Sequence, residues 1–150
     1  MNATVRMSES LAVVGLIQPA ALAPGETLST AIDLSRFHRV LAILETGTLG
    51  AAGTLDMKLV GSATSGGTYT LIPGHAITQV VKATGDGKVV MIEARADWIG
   101  GLDPTIRFIK VSITVGVAAS TSSLVVLGGV ARWEPSSDYN LAAVAQIVAP

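Results

Sequence analysis

Residues 105–117, TIRFIKVSITVGV, alternate between apolar and polar side chains more cleanly than any other stretch of this chain. One side carries Ile109, Val111, Ile113 and Val115, and the other carries Phe108, Lys110, Ser112 and Thr114. Successive side chains of a β-strand point to opposite faces. This period of two therefore predicts a strand whose aliphatic face packs against a core while its other face meets water.

Shorter stretches on both sides of residues 105–117 have the same strand character, and turn signals separate them. The predicted strands are residues 11–18, 27–34, 37–46, 54–60, 68–72, 76–82, 88–96, 105–117 and 124–133. Asp86-Gly87 is a strong hairpin signal and predicts that residues 76–82 pair with residues 88–96. Residues 97–104 are predicted as a loop. Eight or nine short strands at this spacing predict an all-β, antiparallel sandwich or barrel formed by one domain, residues 1–150.

Two of the predicted strands are apolar on both faces. Leu41–Leu44 and Leu124–Ala131 show no polar side to water. The whole chain is 49% hydrophobic but only 14% charged. An antiparallel sheet of a self-contained protein usually keeps one polar face. These strands therefore predict that part of the surface is covered by other chains.

The two ends of the chain differ from the middle. Residues 1–10 are polar and are predicted to form an N-terminal arm, whereas residues 134–150 form a largely apolar C-terminal tail. In this tail Leu141, Val144, Ala145 and Val148 fit one face of a helix with Asp138 as its N-cap, but they also fit an extended arm. Such a tail is expected to dock on its own domain or on a neighbour.

The sequence offers little that is typical of catalysis. It has no cysteine, which excludes disulfides and thiolate zinc sites, and its net charge of −1 gives no broad footprint for nucleic acid. No apolar run has the length of a membrane span. His38 and His75 lie outside any recognisable motif. We therefore predict no catalytic residue, no metal site and no cofactor.

The large side chains suggest contacts between chains instead. Trp98 is interpreted as an interface anchor and Trp133 as a plug in the core, and the alternative for both is a platform that stacks on sugars. Gly128-Gly129, inside a predicted strand, indicates a bulge or a close approach of two backbones. The candidate interface residues are Phe37, Trp98, Trp133, Tyr139, Leu141, Val144 and Ile147.

The chain as a whole resembles a family of small structural proteins from tailed-phage virions. The resemblance is carried by residues 11–17 (LAVVGLI), 30–44 (TAIDLSRFHRVLAIL), 55–59 (LDMKL), 66–69 (GGTY), 76–79 (AITQ), 107–116 (RFIKVSITVG) and 127–139 (LGGVARWEPSSDY). It implies a jelly-roll-like β-sandwich located in the virion, with no cofactor and no catalysis. It also implies a capsid decoration, or cement, protein that forms a homotrimer and bridges copies of the major capsid protein. The alternative is a carbohydrate- or receptor-binding module of a fibre or tail.

Overall fold

The computed structural model describes residues 4–149 of the chain. Its strands are β1 (Leu11–Leu22), β2 (Gly25–Leu28), β3 (Ile32–Asp33), β4 (Phe37–Thr46), β5 (Thr54–Ser62), β6 (Thr70–Ala76), β7 (Val80–Val81), β8 (Val89–Arg95), β9 (Phe108–Gly116) and β10 (Ser120–Ala131). Its helices are α1 (Met7–Ser10), α2 (Lys82–Gly85), α3 (Ala96–Leu102) and a 3-10 turn over Ser136–Tyr139.

The strands form two antiparallel sheets. One has the order β1-β10-β4-β8, and the other has the order β2-β9-β5-β6 with β3 beside β9 and β7 beside β5. Four strand pairs enclose one another along the chain: β1–β10 is the outermost, followed by β2–β9, β4–β8 and the innermost pair β5–β6. They alternate between the two sheets: β1–β10 and β4–β8 lie in the four-stranded sheet, and β2–β9 and β5–β6 lie in the six-stranded sheet. Eight long strands in this arrangement make a jelly roll. The predicted antiparallel, jelly-roll-like sandwich is confirmed, with two-residue strands β3 and β7 added to it.

The core lies between the sheets and is built from the strands with period-two patterns. Ile109, Val111, Ile113 and Val115 of β9 are all buried, as their alternation predicts. The six-stranded sheet adds Leu55, Met57 and Leu59 of β5, and the four-stranded sheet adds Leu44 and Leu124. Full burial of one such side chain contributes about 1.5–3 kcal/mol, so the two inner faces hold the layers together.

The hairpin predicted at Asp86-Gly87 is wrong. The strand before it, β7, pairs with β5 in the six-stranded sheet, and the strand after it, β8, pairs with β4 in the four-stranded sheet. The turn itself is present: Gly87 has φ +62°, and the Asp86 carboxylate accepts a hydrogen bond of 2.9 Å from the Leu49 backbone N–H. The dipeptide therefore carries the chain across from one sheet to the other.

Three further segments differ from their predictions. Residues 97–104 do not form a plain loop, because α3 occupies most of them and is held by its buried Ile99. The strand predicted over residues 76–82 shrinks to β7, and α2 follows it directly. Of the two alternatives for the tail, the helix is wrong and the arm without a helix is what the structure shows: the 3-10 turn precedes it, with Asp138 inside the turn and Pro135 at its N-cap position.

The glycine pair in β10 allows a close approach. A Cβ atom on Gly128 would lie 2.8 Å from two carbons of the Phe37 ring, so only glycine leaves room for this ring. Phe37 in turn packs edge-on against Tyr139, with ring centroids 5.4 Å apart. This contact brings the C-terminal segment back to the four-stranded sheet.

Candidate assembly surface

The outer face of the four-stranded sheet is apolar. Directly paired residues of antiparallel strands place their side chains on the same face. The pairing register gives one row of Leu16, Val125, Ile43 and Met91, and a second row of Val13, Leu127 and Leu41, which ends at Glu93 on β8. We call the seven apolar residues of these rows the outer apolar face. Met91 is 60% exposed and the other six are half-buried, so residues 4–149 leave the face at least partly open to water.

The apolar face has its origin in the two-sided strands seen in the sequence. The inner side chains of β4, Val40, Ala42 and Leu44, are buried in the core, and so are Leu124 and Val126 of β10. The residues between them point outward and are also aliphatic. β4 and β10 occupy the middle of the sheet and pair with each other, so their outward-facing side chains lie side by side.

An open groove continues the outer apolar face at the end near Gly129. It has a volume of about 780 Å³, and its lining is mostly apolar. Leu11, Leu41, Leu127 and Gly129 line it, together with Val5, Val130 and Pro135. We call it the apolar groove. Its charged lining residues are Glu9, Arg39, Glu93 and Glu134, of which Arg39 and Glu93 pair with each other at 3.1 Å.

Gly129 helps to shape this groove. A Cβ atom at this position would lie 3.2 Å from Cδ2 of Leu11, which is tighter than an ordinary contact. The absence of a side chain therefore leaves space beside Leu11. Of the two neighbouring glycines, Gly128 leaves space for the Phe37 ring in the core, and Gly129 leaves space beside Leu11 on the outer surface.

The C-terminal segment is anchored at the free edge of β1. The backbone N–H of Val13 donates to Oδ1 of Asn140 at 2.7 Å, and the N–H of Leu141 donates to the carbonyl of Val13 at 2.9 Å. Beyond this anchor, residues Ala142–Ala149 carry no charged side chain. We call them the C-terminal arm. Ile147 and Val148 are 49% and 83% exposed, so the arm leaves the domain with its aliphatic side chains in water.

The predicted interface residues fall into three groups. Phe37 is buried in the core, so its contact is with Tyr139 of its own chain. Tyr139, Leu141 and Val144 are half-buried near the anchor, whereas Trp98, Trp133 and Ile147 are exposed. The prediction that Trp133 plugs the core is wrong: it is 75% exposed, because β10 ends at Ala131 and the chain then leaves the sandwich. Contacts of these residues with other chains stay a prediction.

Sequence reasoning missed most residues of the apolar groove. Leu41 and Leu127 lie in the two stretches that are apolar on both faces, so a usable signal was present for them. Val5, Leu11 and Gly129 come from separate parts of the chain and meet only through the pairing of β1 with β10. No local pattern marks such residues as neighbours.

Charged groups elsewhere make contacts within the fold. Partial burial of Asp33 would by itself raise the pKa of its carboxyl. Hydrogen bonds from Arg107 and Ser35 outweigh this effect and lower the pKa from 3.8 to about 2. Both carboxylate oxygens accept from Arg107, at 3.2 and 3.0 Å. This pair ties β3 to the start of β9.

Residues 4–149 contain neither a cluster of metal-binding side chains nor a helix long enough to cross a membrane. Nowhere in this range do three His, Asp or Glu side chains come together as metal ligands would. None of the helices in the same range has the length and apolar character that crossing a bilayer requires.

No protein-family model matches this chain, and no curated protein sequence does. Among solved structures, a Bacillus endospore appendage described as a disulfide-linked pilus is 16% identical, with 86% of this chain and 98% of that chain covered and a TM-score of 0.38. A xylan-binding domain from CBM 22 is 10% identical, with 85% and 90% covered and a TM-score of 0.37. A structure of infectious bursal disease virus, Gt strain, is 12% identical, with 85% of this chain but only 33% of the viral chain covered and a TM-score of 0.37. Likenesses with TM-scores this low support no statement about what the chain binds.

Proposed function

We propose that this chain is a virion structural protein, and that it acts as a capsid decoration protein that stabilises a tailed-phage head by bridging neighbouring capsid subunits. The observation that carries the proposal is the outer apolar face, whose first row crosses all four strands of one sheet without a charged side chain and whose second row crosses three strands before it reaches Glu93. Aliphatic surface of this kind gains about 25 cal/mol for each Å² that a partner removes from water. A subunit that buries this surface against its neighbours in a shell is stabilised by that free energy, whereas a free monomer is not.

The sequence supports the same proposal independently. The resemblance to tailed-phage virion proteins extends from about residue 10 to the end of the chain, and the family implies a trimer that contacts the major capsid protein. A shell repeats each contact many times, so individually modest contacts can hold it firmly. In this proposal the trimer binds the outside of the assembled head.

The proposal is tested by two measurements on the full-length chain. Native mass spectrometry at micromolar concentration should give a stable oligomer, with the trimer as its main species. Sedimentation with empty heads of the virus that carries the gene should place the chain in the pellet, in a fixed ratio to the major capsid protein. A monomer that stays in the supernatant would overturn the proposal.

One observation favours a second candidate, a carbohydrate-binding module of a fibre or tail. Trp98 on α3 is 61% exposed, and the guanidinium of Arg95 lies over its ring, 5.0 Å from the centroid. Exposed aromatic rings of this kind can stack on sugars. Binding on a glycan array that is lost with Trp98→Ala and kept with Val117→Ala, which alters another exposed side chain, would favour this candidate.

A further inference from the structure

The C-terminal arm and the apolar groove match each other in chemistry. The arm, Ala142–Ala149, consists of alanine, valine, isoleucine and one glutamine, and carries no charge. The groove is lined mainly by Leu11, Leu41, Leu127 and Val130. Both surfaces are exposed to water in the same structure. Their mutual burial would remove aliphatic area on both sides and would leave no charged side chain of the arm without a partner.

The arm lies off its own sheet although it starts beside it. Leu141 is held at Val13, on the edge strand that borders the outer apolar face, and the N–H of Val144 then donates to the carbonyl of Leu141 at 3.0 Å. This turn directs the following residues away, and Val148 is 83% exposed. Eight extended residues span about 26 Å, which is enough to cross the four strands of a neighbouring sheet, about 14 Å from the first to the last.

The area of the outer apolar face also argues for a contribution from the arm. Four strands and two rows of side chains give a flat footprint on the order of 100–250 Å². Stable interfaces usually bury about 800 Å² on each partner. Two such faces stacked on each other would fall short of that size. An arm from a second copy adds a further contact surface to the same site.

From these observations we infer that the apolar groove and the adjoining outer apolar face bind the C-terminal arm of a second copy of this chain. The inference rests on the proposed function, because it names the contact that links the copies. The contact is heterologous, since the arm of one copy meets the groove of the next. Contacts of this type close into rings when the rotation between copies permits, and a trimer is such a ring.

Disulfide trapping tests the inference directly, because the chain has no cysteine of its own. One variant carries Ile147→Cys in the arm, and a second carries Leu127→Cys in the groove. Mixed and oxidised, the two should form a disulfide between chains, which intact mass spectrometry identifies by the mass of the mixed dimer. The matched control is Thr114→Cys, a half-buried position in the middle of β9 on the outer face of the other sheet. We expect at least about tenfold less mixed dimer with it, because assembly raises the effective concentration only between arm and groove.

The outcomes separate this inference from the proposed function. A mixed disulfide no more abundant than with the Thr114→Cys control would overturn the inference. A disulfide that forms only within one chain carrying both cysteines would also overturn it, since the arm would then lie on its own groove. If native mass spectrometry of the unsubstituted chain still gives an oligomer in these cases, the proposed function stands and only the arm contact is wrong.

Discussion

The two sheets of this sandwich have similar apolar inner faces, but their outer faces differ in polarity. Outside the six-stranded sheet, Glu26, Asp56 and Lys58 are joined by Thr114 and Lys110. These groups find partners on the same face: Lys58 lies 3.8 Å from Glu26, Gln79 donates to Asp56 at 2.8 Å, and Lys110 lies 4.4 Å from the centre of the Tyr69 ring. On the four-stranded sheet, by contrast, the two rows hold seven apolar side chains and one charged group, Glu93 at the end of the second row.

This difference shows what each outer face is suited for. The inner faces stabilise the fold and must be apolar in both sheets. An outer face needs no aliphatic residues for folding, so seven of them on one sheet require another explanation. The polar groups of one outer face interact with water, whereas the aliphatic side chains of the other gain free energy when a partner buries them.

We expect the largest effect when a charged side chain, of the kind found outside the six-stranded sheet, is introduced into the outer apolar face. Ile43→Lys places a charge in the middle of the outer apolar face, where a partner would have to remove it from water. We expect self-association to weaken by at least about 100-fold, or about 3 kcal/mol, as measured by sedimentation equilibrium. The melting temperature of the subunit should change little, because the Ile43 side chain is only half-buried.

Thr114→Lys is the matched control for this prediction. Thr114 has a similar burial and lies in the middle of the other sheet, opposite Asp56 and Glu26. A lysine there should leave self-association unchanged. Equal loss of association in both variants, or in neither, would mean that the two outer faces do not differ in function.

A second test compares the inside and the outside of one strand. Gly128→Ala sets a methyl group 2.8 Å from the Phe37 ring, which is held by Tyr139, and should destabilise the fold by about 1–3 kcal/mol. Gly129→Ala meets the more flexible end of Leu11 at 3.2 Å and should cost less than about 1 kcal/mol. Urea unfolding of both variants measures the two values. A larger loss for Gly129→Ala would contradict the assignment of the inner and outer sides of β10.

The third prediction concerns the pH dependence at the edge of the polar sheet. The carboxyl of Asp33 has a pKa of about 2 in the folded protein, against 3.8 ordinarily. It therefore contributes up to about 2 kcal/mol of stability above pH 3.8, and this contribution is lost as the pH falls towards 2. Asp33→Asn lacks the contribution at every pH. The difference in unfolding free energy between the two proteins should be constant above about pH 5 and should shrink between pH 4 and 2, and a constant difference down to pH 2 would contradict the ionic contact with Arg107.

Local pattern was enough to predict the strands and most of the core. β4 begins and ends at the predicted residues, and the alternation in β5 and β9 assigns the inner side chains correctly. Pairing was harder, because a turn such as Asp86-Gly87 shows only where the chain bends. Which sheet receives β8 depends on β4, more than forty residues earlier. A short helix with two glycines, such as α3, has no periodicity that reveals it.

The candidate surface could be predicted only in part, for the same reason. β4 and β10 are each apolar on both faces, and the sequence of each strand shows this by itself. The sequence therefore predicts that one outer face binds a partner. The groove also depends on α1 and on the segment after β10, which meet through the register of distant strands. Trp133 shows the limit of a rule based on residue type: tryptophan is usually buried in large part, but this one lies beyond the end of its strand.

The smallest effect is expected on the polar face itself. Glu26→Gln removes the charge that faces Lys58 at 3.8 Å, but it keeps an oxygen that accepts the hydrogen bond from the Ser112 hydroxyl. Both members of the ion pair are about 40–50% exposed, so solvent screens their attraction and the loss should stay below about 0.5 kcal/mol in urea unfolding. Self-association should also stay as it was. A loss above about 1 kcal/mol would mean that the polar groups stabilise their sheet as well as keeping it in water, and the contrast between the outer faces would then be partly one of folding and not only of assembly.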